Sequence, residues 1–297
     1  MIISHANKFI FFKPLKVGGS SVEVALIKSC GSSDIITGTD YLDEVNNDKY
    51  DYSSRNCSET VILKGESAKK FLIQQRQSGI LTHPPITDEV IRNSNEIECH
   101  RSKFNSHISP MYLKVQYKNF LDIMDYHKFT IVRNPWDLMV SYFWWCFSPS
   151  ELLSPISGDI VKVSISELKS KNWMSPQPED SERVLATKFS AFIRQKAYPP
   201  HDLGNINEKV DVVTWLSQFN SHFYSAVDID TVMRFESIQD DFDLICDKLN
   251  IKRSSLPRLK SSIRKSPAHY SRYYSDRTRD QVADAFFSVI NKFGYSF

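Results

Sequence analysis

The sequence of 297 residues is poor in the features that mark several common protein classes. Its five cysteines (Cys30, Cys57, Cys99, Cys146, Cys246) are odd in number and scattered, with no CxxC pair. That pattern excludes a disulfide framework and a zinc ribbon and fits a reducing compartment. No apolar run approaches the roughly 18 residues a membrane span needs, so no stable membrane insertion is expected. The opening residues 1–13 lack a basic n-region and a long apolar h-region, so no signal peptide is expected either. Net charge is almost absent. Lys and Arg number 37 against 35 Asp and Glu, a formal +2, which excludes a generic nucleic-acid binder that works through bulk positive charge. Internal repeats and low-complexity linkers are lacking as well. The hydrophobic content of 41% is too high for a disordered chain, and a chain of this length can bury a full core.

What charge there is segregates. Residues 31–60 carry seven acids against two bases, and residues 251–280 carry nine bases against two acids. A basic segment in a near-neutral chain suits a compact anion; the alternative is a solvated basic face.

Three segments read as strand, tight turn, helix. Lys8 to Lys13 is a short apolar run ended by Pro14; Gly18-Gly19 and Ser20-Ser21 follow, then Val22, Ala25 and Leu26 at helical spacing, with Ser20 or Ser21 as N-cap and Gly31 past the helix end. Phe129 to Val132 is a second buried strand. Asn134 then caps a helix whose first residue is Pro135 and whose apolar face carries Trp136, Val140, Phe143 and Phe147. Thr231 to Phe235 is a third strand. After it, Ser237 with Asp240 resembles a capping box, and Ile238, Phe242, Ile245 and Leu249 form a buried face. The C-terminal stretch places Val282, Phe286, Val289, Ile290 and Phe293 on one face, with Gly294 as its stop.

Such alternation predicts a single α/β domain over 1–297 with a P-loop-like central parallel sheet flanked by helices. Residues 31–100 read as a polar excursion with short helices near 66–78 and 87–94, and 148–225 as further helices and loops. In such sheets ligands bind at the carboxyl ends of the strands, which puts the turns after the first two strands at one edge.

The first turn, Lys16-Val17-Gly18-Gly19-Ser20-Ser21, has the makings of an anion cradle. Two glycines let backbone N–H groups approach an oxyanion, a helix N-terminus follows, the serines add hydroxyl donors and Lys16 adds charge. In Walker A the Lys follows the last Gly and directly precedes Ser/Thr; here Lys16 comes before the glycines, which argues against an ordinary P-loop nucleotide kinase. The alternative is a glycine turn that merely joins strand to helix. At the second turn, Arg133 precedes Ser141 by eight residues, roughly 10–12 Å of helix rise, so both can hold one phosphate; the alternative is an Arg salt-bridged at a helix start and a Ser on a polar face.

Taken together, the two motifs resemble those of the PAPS-dependent sulfotransferases, in particular carbohydrate-type and uncharacterised microbial or viral members, and the resemblance covers most of the chain. Lys16 to Ser21 looks like the loop that wraps the 5′-phosphosulfate of 3′-phosphoadenylyl sulfate (PAPS). Arg133 to Tyr142 looks like the Arg-x-Pro…Ser-x-Tyr element that holds the 3′-phosphate. Met233 to Ile238, and Tyr273-Tyr274 through Phe297, resemble further recurrent segments. Two departures stand out: Leu15 separates Pro14 from Lys16, where the family has Pro immediately before Lys, and Ser20 replaces the commoner Thr.

The resemblance implies sulfuryl transfer from PAPS, with PAP as product and no metal, to an acceptor hydroxyl on a glycan or small molecule. Lys16 would stabilise the charge that grows on the bridging oxygen. His107 best matches the position of the family's catalytic base; the alternative is a histidine satisfying backbone at the helix start marked by Ser109-Pro110, with His100, His83 and Glu98 in reserve. Family members use a late basic loop over the 3′-phosphate, for which Arg264 and Lys265 are the candidates here, against a solvated loop. Glu236 reads as a structural ion pair or helix N-terminal charge, and Trp144 and Trp145 as core more readily than as stacking platforms. Family members acting on secretory glycans carry an N-terminal anchor; its absence leads to the expectation of a soluble cytoplasmic enzyme, or of a chain from which an anchor has been removed. The rival readings are a nucleotide kinase and a non-catalytic nucleotide-binding protein on the same fold.

Overall fold

The computed structural model describes residues 1–37, 54–77, 87–94, 96–102, 104, 106–117, 120–147, 172–197, 209–225, 229–259 and 261–297. In chain order the strands are β1 (Ile2–Ser4), β2 (Phe9–Phe11), β3 (Ile35–Ile36), β4 (Ser58–Lys64), β5 (Glu96–Ser102), β6 (His127–Val132), β7 (Lys196–Ala197), β8 (Val210–Asp211) and β9 (Thr231–Arg234). The helices are α1 (Gly19–Ile27), α2 (Glu66–Gln77), α3 (Asp88–Asn93), α4 (Pro110–Gln116), α5 (Pro135–Cys146), α6 (Glu182–Ile193), α7 (Val212–Ser225), α8 (Ile238–Leu249), α9 (Asp276–Ala285) and α10 (Phe287–Phe293).

The fold is α/β, built on a mixed sheet of five strands in the order β3-β1-β2-β6-β9. Its centre is parallel: Phe9 to Phe11 of β2 pair with His127 to Phe129 of β6, and Phe129 to Val132 pair with Thr231 to Arg234 of β9. All of β2, and β6 from Lys128 onward, is buried, the near-continuous run expected of strands covered on both faces. β1 and β3 extend the sheet antiparallel beside β2. At two or three residues each they are too short to carry a readable period, and the sequence reading has no strand there. Because β2, β6 and β9 run in one direction, the turns that follow them (12–18, 133–134 and 235–237) open at one edge of the sheet.

α5 is the central helix. Asn134 caps it as expected, its side chain accepting from the N–H groups of Trp136 and Asp137 at 3.0 and 3.4 Å, with Pro135 in the first turn. Ten of its twelve residues are buried, the exceptions being Asp137 and Ser141. Trp144 is core: it is 3% exposed and donates from Nε1 to the Tyr273 hydroxyl at 3.0 Å. Phe143 packs edge-on against it, and Phe189 and Phe192 pack in turn against Phe143, edge-on and tilted.

Three local expectations are corrected. Ser20 and Ser21 do not cap α1; the helix starts two to three residues earlier, at Gly19, with Gly18 in the cap position, and it stops at Ile27, well before Gly31. Ser237 makes no capping hydrogen bond to α8 and forms no box with Asp240. The nearby carboxylate of Asp241 instead accepts the N–H of Arg234 at 2.6 Å. Within 31–100, the expected helices are present as α2 and α3, but β4 and β5 also pair antiparallel from Ser58 opposite Ser102 to Lys64 opposite Glu96, a hairpin-like unit that the polar composition hid.

Candidate active site

The turn after β2 is held by opposing requirements of charge and space. Phe12 continues the ladder, its N–H donating to Phe129 O at 2.9 Å. Lys13 is buried and its ammonium meets the Glu23 carboxylate of α1 at 2.5 Å. Burial alone would raise the Glu23 pKa; the cations of Lys13 and of the chain's α-amino group outweigh it and hold the carboxyl below its usual value. Gly19 lies directly on the Lys13 stem, where a Cβ would come 2.3 Å from Lys13 Cγ. Gly18 takes φ +80° against the Phe235 ring. Gly19→Ala is therefore expected to destabilise the protein by ~1–3 kcal/mol in urea unfolding, the usual range for overpacking. An unchanged midpoint would mean that the Lys13–Glu23 pair yields freely.

Lys16 itself stands at φ +61°, a strained position for a residue with a side chain. Its ammonium lies over the Trp145 ring, 5.2 Å from the centroid. The side chain of Val17 is fully buried, so this residue has only backbone to offer a ligand. Ser20 and Ser21 are half-buried, and Ser21 Oγ accepts the Leu259 N–H at 3.4 Å from the late basic segment.

Arg133 reaches back to this loop. Its guanidinium donates to Lys16 O at 2.8 Å and to Asp137 Oδ2 through Nε and a terminal nitrogen at 2.8 and 2.7 Å. It also lies over the Phe235 ring, 3.9 Å from the centroid. Burial pulls its pKa below the ordinary arginine value while Asp137 opposes the shift; the group stays charged. The other oxygen of Asp137 accepts from Arg264 at 2.9 Å, and Arg264 is fixed further by Ala268 O. One carboxylate thus joins two guanidinium groups that the chain separates by more than a hundred residues. Lys265 is exposed.

Ser141 follows Asp137 by one helical turn on the same stripe of α5, and the buried Trp145 follows by one more. The stripe therefore carries Arg133 and Arg264 at one end and the Lys16 ammonium at the other, eight residues or about 12 Å apart along the axis.

His107 lies beside the same loop. Its Nδ1 is 2.7 Å from Lys13 O, and a carbonyl can only accept, so Nδ1 carries the proton and the lone pair of the neutral ring is on Nε2. The ring meets Phe219 of α7 edge-on, and two residues later Ser109 caps α4 by accepting the Tyr112 N–H at 3.3 Å. His100 and Glu98 are on β5, in the two-stranded sheet, and His83 lies outside the described residues.

Several contributors escaped the sequence reading. Asn220 of α7 is 1% exposed, and its side-chain amide binds both backbone groups of Leu15. The available signal was a polar residue on the buried stripe between Leu216 and Phe223. Asp137 and Phe235 were legible only as a charge in a first helical turn and a strand-end aromatic. Glu236 accepts the Asn134 N–H at 2.7 Å and the Tyr295 hydroxyl at 3.0 Å, hydrogen bonds where the sequence pointed to an ion pair or a helix N-terminal charge. Burial, reinforced by Glu236, raises the pKa of that Tyr295 hydroxyl.

Among the described residues, no three His, Cys, Asp or Glu side chains are grouped as a metal site requires, and no helix is long and apolar enough to cross a membrane. A family model described as "Sulfotransferase family" matches residues 1–296. Searches of curated proteins and of solved structures return no match.

Proposed function

The chain belongs to the sulfotransferase family, and from that premise we propose that it moves a sulfuryl group from PAPS to an acceptor hydroxyl on a carbohydrate, by in-line transfer without a metal. The contact between the two motifs carries this reading: the Arg133 guanidinium is 2.8 Å from Lys16 O, so the loop after β2 and the turn after β6 form one site. The residues suit a nucleotide with two separated anionic groups, since cations collect at both ends of the α5 stripe, Lys16 over Trp145 and Arg133 with Arg264 at Asp137.

In this assignment Lys16, Val17, Gly18, Gly19, Ser20 and Ser21 hold the 5′ end, and Arg133, Ser141, Arg264 and Lys265 the 3′-phosphate. PAPS supplies the sulfuryl group and its phosphate leaving group. The Lys16 ammonium donates to the oxygen on which charge grows, and no proton need leave Lys16 for it to do so. His107 accepts the acceptor's proton at Nε2, while its Nδ1–H remains anchored on Lys13 O. Residues 31–100 and 148–225 are assigned to the acceptor side. Of their described parts, α7 touches both the loop and His107.

The test is transfer of label from PAPS to a panel of sugars, lipids, phenols and peptides in the presence of a divalent-metal chelator, with PAP binding measured by calorimetry. Label on a sugar hydroxyl and PAP binding are expected. PAP binding without transfer to any acceptor would make the protein a nucleotide binder, and magnesium-dependent transfer from ATP would make it a kinase. Label on a phenol or lipid would replace the carbohydrate.

A further inference from the structure

We infer that Asn220 is a positioning residue for Lys16, holding the lysine's backbone in its strained conformation from the acceptor-side helix α7; this rests on the reading of Lys16 as the donor-loop cation. The Asn220 side chain acts toward Leu15 as a neighbouring strand would. Its Oδ1 accepts the Leu15 N–H at 3.0 Å and its Nδ2 donates to Leu15 O at 3.1 Å, across 205 residues of sequence.

The consequence for Lys16 follows from peptide geometry. Leu15 O belongs to the peptide plane before the Lys16 Cα, and Lys16 O to the plane after it. Asn220 holds the first plane and Arg133 the second. Two planes fixed on either side of one Cα fix its φ and ψ. Lys16 has φ +61°, a conformation that costs a residue with a Cβ about 1–2 kcal/mol and persists only where the surroundings enforce it. Without the Asn220 bonds, the first plane is free to rotate and Lys16 relaxes toward negative φ, moving its ammonium from its place over Trp145.

The neighbouring residue on α7 extends the effect. Phe219 packs against the His107 ring, and His107 donates to Lys13 O, two residues before Leu15. One turn of helix therefore sets the register of both groups assigned to the chemistry. An asparagine is well suited to this place, because a buried amide must satisfy its donors and its acceptor together and a loop backbone offers both.

The experiment compares the parent with Asn220→Ala and Asn220→Asp, using hydrogen–deuterium exchange by mass spectrometry and calorimetric titration with PAP. For Asn220→Ala, exchange in peptides spanning residues 12–21 is expected to rise about tenfold, with that in α9 and α10 unchanged, and PAP affinity to fall about tenfold. Asn220→Asp keeps the shape, and its protonated carboxyl can both accept from and donate to Leu15. Its PAP affinity relative to the parent is therefore expected to be near parental at pH 5.5 and about tenfold lower at pH 8, as the carboxyl ionises. Raised exchange confined to α7 with the loop unchanged, or an aspartate variant equally impaired at both pH values, would reduce Asn220 to a packing residue. Should Asn220→Ala not fold, the aspartate variant decides alone. If the parent fails to bind PAP, the donor assignment falls, while the exchange of residues 12–21 still decides whether Asn220 holds the loop.

Discussion

Lys16→Ala is expected to lower sulfuryl transfer by at least ~100-fold, the scale of removing one preorganised donor to a developing oxyanion, while the thermal midpoint stays within a few degrees of the parent. The two halves of this expectation have separate causes. The bonds that shape the loop are made by the backbone of residue 16 and by its neighbours: Lys16 O accepts from Arg133, and Asn220 binds Leu15. Alanine keeps every one of them and meets the same steric cost at positive φ, and the cation over Trp145 that it gives up is worth ~0.5–1 kcal/mol at a partly exposed site. Catalysis, in contrast, loses the charge that the loop exists to place. The measurement is turnover of labelled PAPS beside a thermal melt, on whichever acceptor the panel identifies. Near-parental turnover in Lys16→Ala would remove this residue from the mechanism. A collapsed melting temperature with lost activity would instead make Lys16 a structural residue of the loop.

The parts of the molecule that were legible in the sequence are those where local chemistry and global fold agree. Asn134 with Pro135 is a helix start by two independent preferences, and it is one. The apolar runs at Phe9 and Phe129 become the buried parallel strands because no other element can cover them on both faces. Gly18 and Gly19 marked the turn correctly, yet the serines after them were misread as caps. Ser is a good cap in isolation, but here the helix begins at a glycine that fits against Lys13, and packing overrides the local preference. What stayed hidden is tertiary. Nothing local says that Asp137 takes up two arginines, one of them 127 residues further on, or that the polar member of an apolar helix face binds a loop 205 residues away. β1 and β3 stayed hidden for a simpler reason, since two or three residues carry no period.

The Asp137 bridge changes what the arginine variants should do. Arg133 was the natural target for a test of 3′-phosphate recognition, but it is 9% exposed and already binds Asp137, Lys16 O and the Phe235 face. Removing it deletes its hydrogen bonds to Asp137 and Lys16 O and its contact with the Phe235 face, so Arg133→Ala is expected to lose about 3 kcal/mol of stability as well as nucleotide affinity. Its binding loss would then be read against a weakened fold. Arg264 is the cleaner probe. Its side chain is 24% exposed, and after Arg264→Ala the Asp137 carboxylate still has Arg133. Arg264→Ala is expected to reduce affinity for PAP about tenfold to a hundredfold, the worth of one charged hydrogen bond, and to leave affinity for adenosine 5′-phosphate nearly unchanged. Titration calorimetry with both nucleotides, beside urea unfolding of each variant, separates the two effects. Equal losses for the two ligands in Arg264→Ala would refute the assignment of this cluster to the 3′-phosphate. A selective loss in Arg264→Ala, and in Arg133→Ala once its lower stability is accounted for, would show that both guanidinium groups serve one phosphate. Asp137 would then hold them the right distance apart before it arrives.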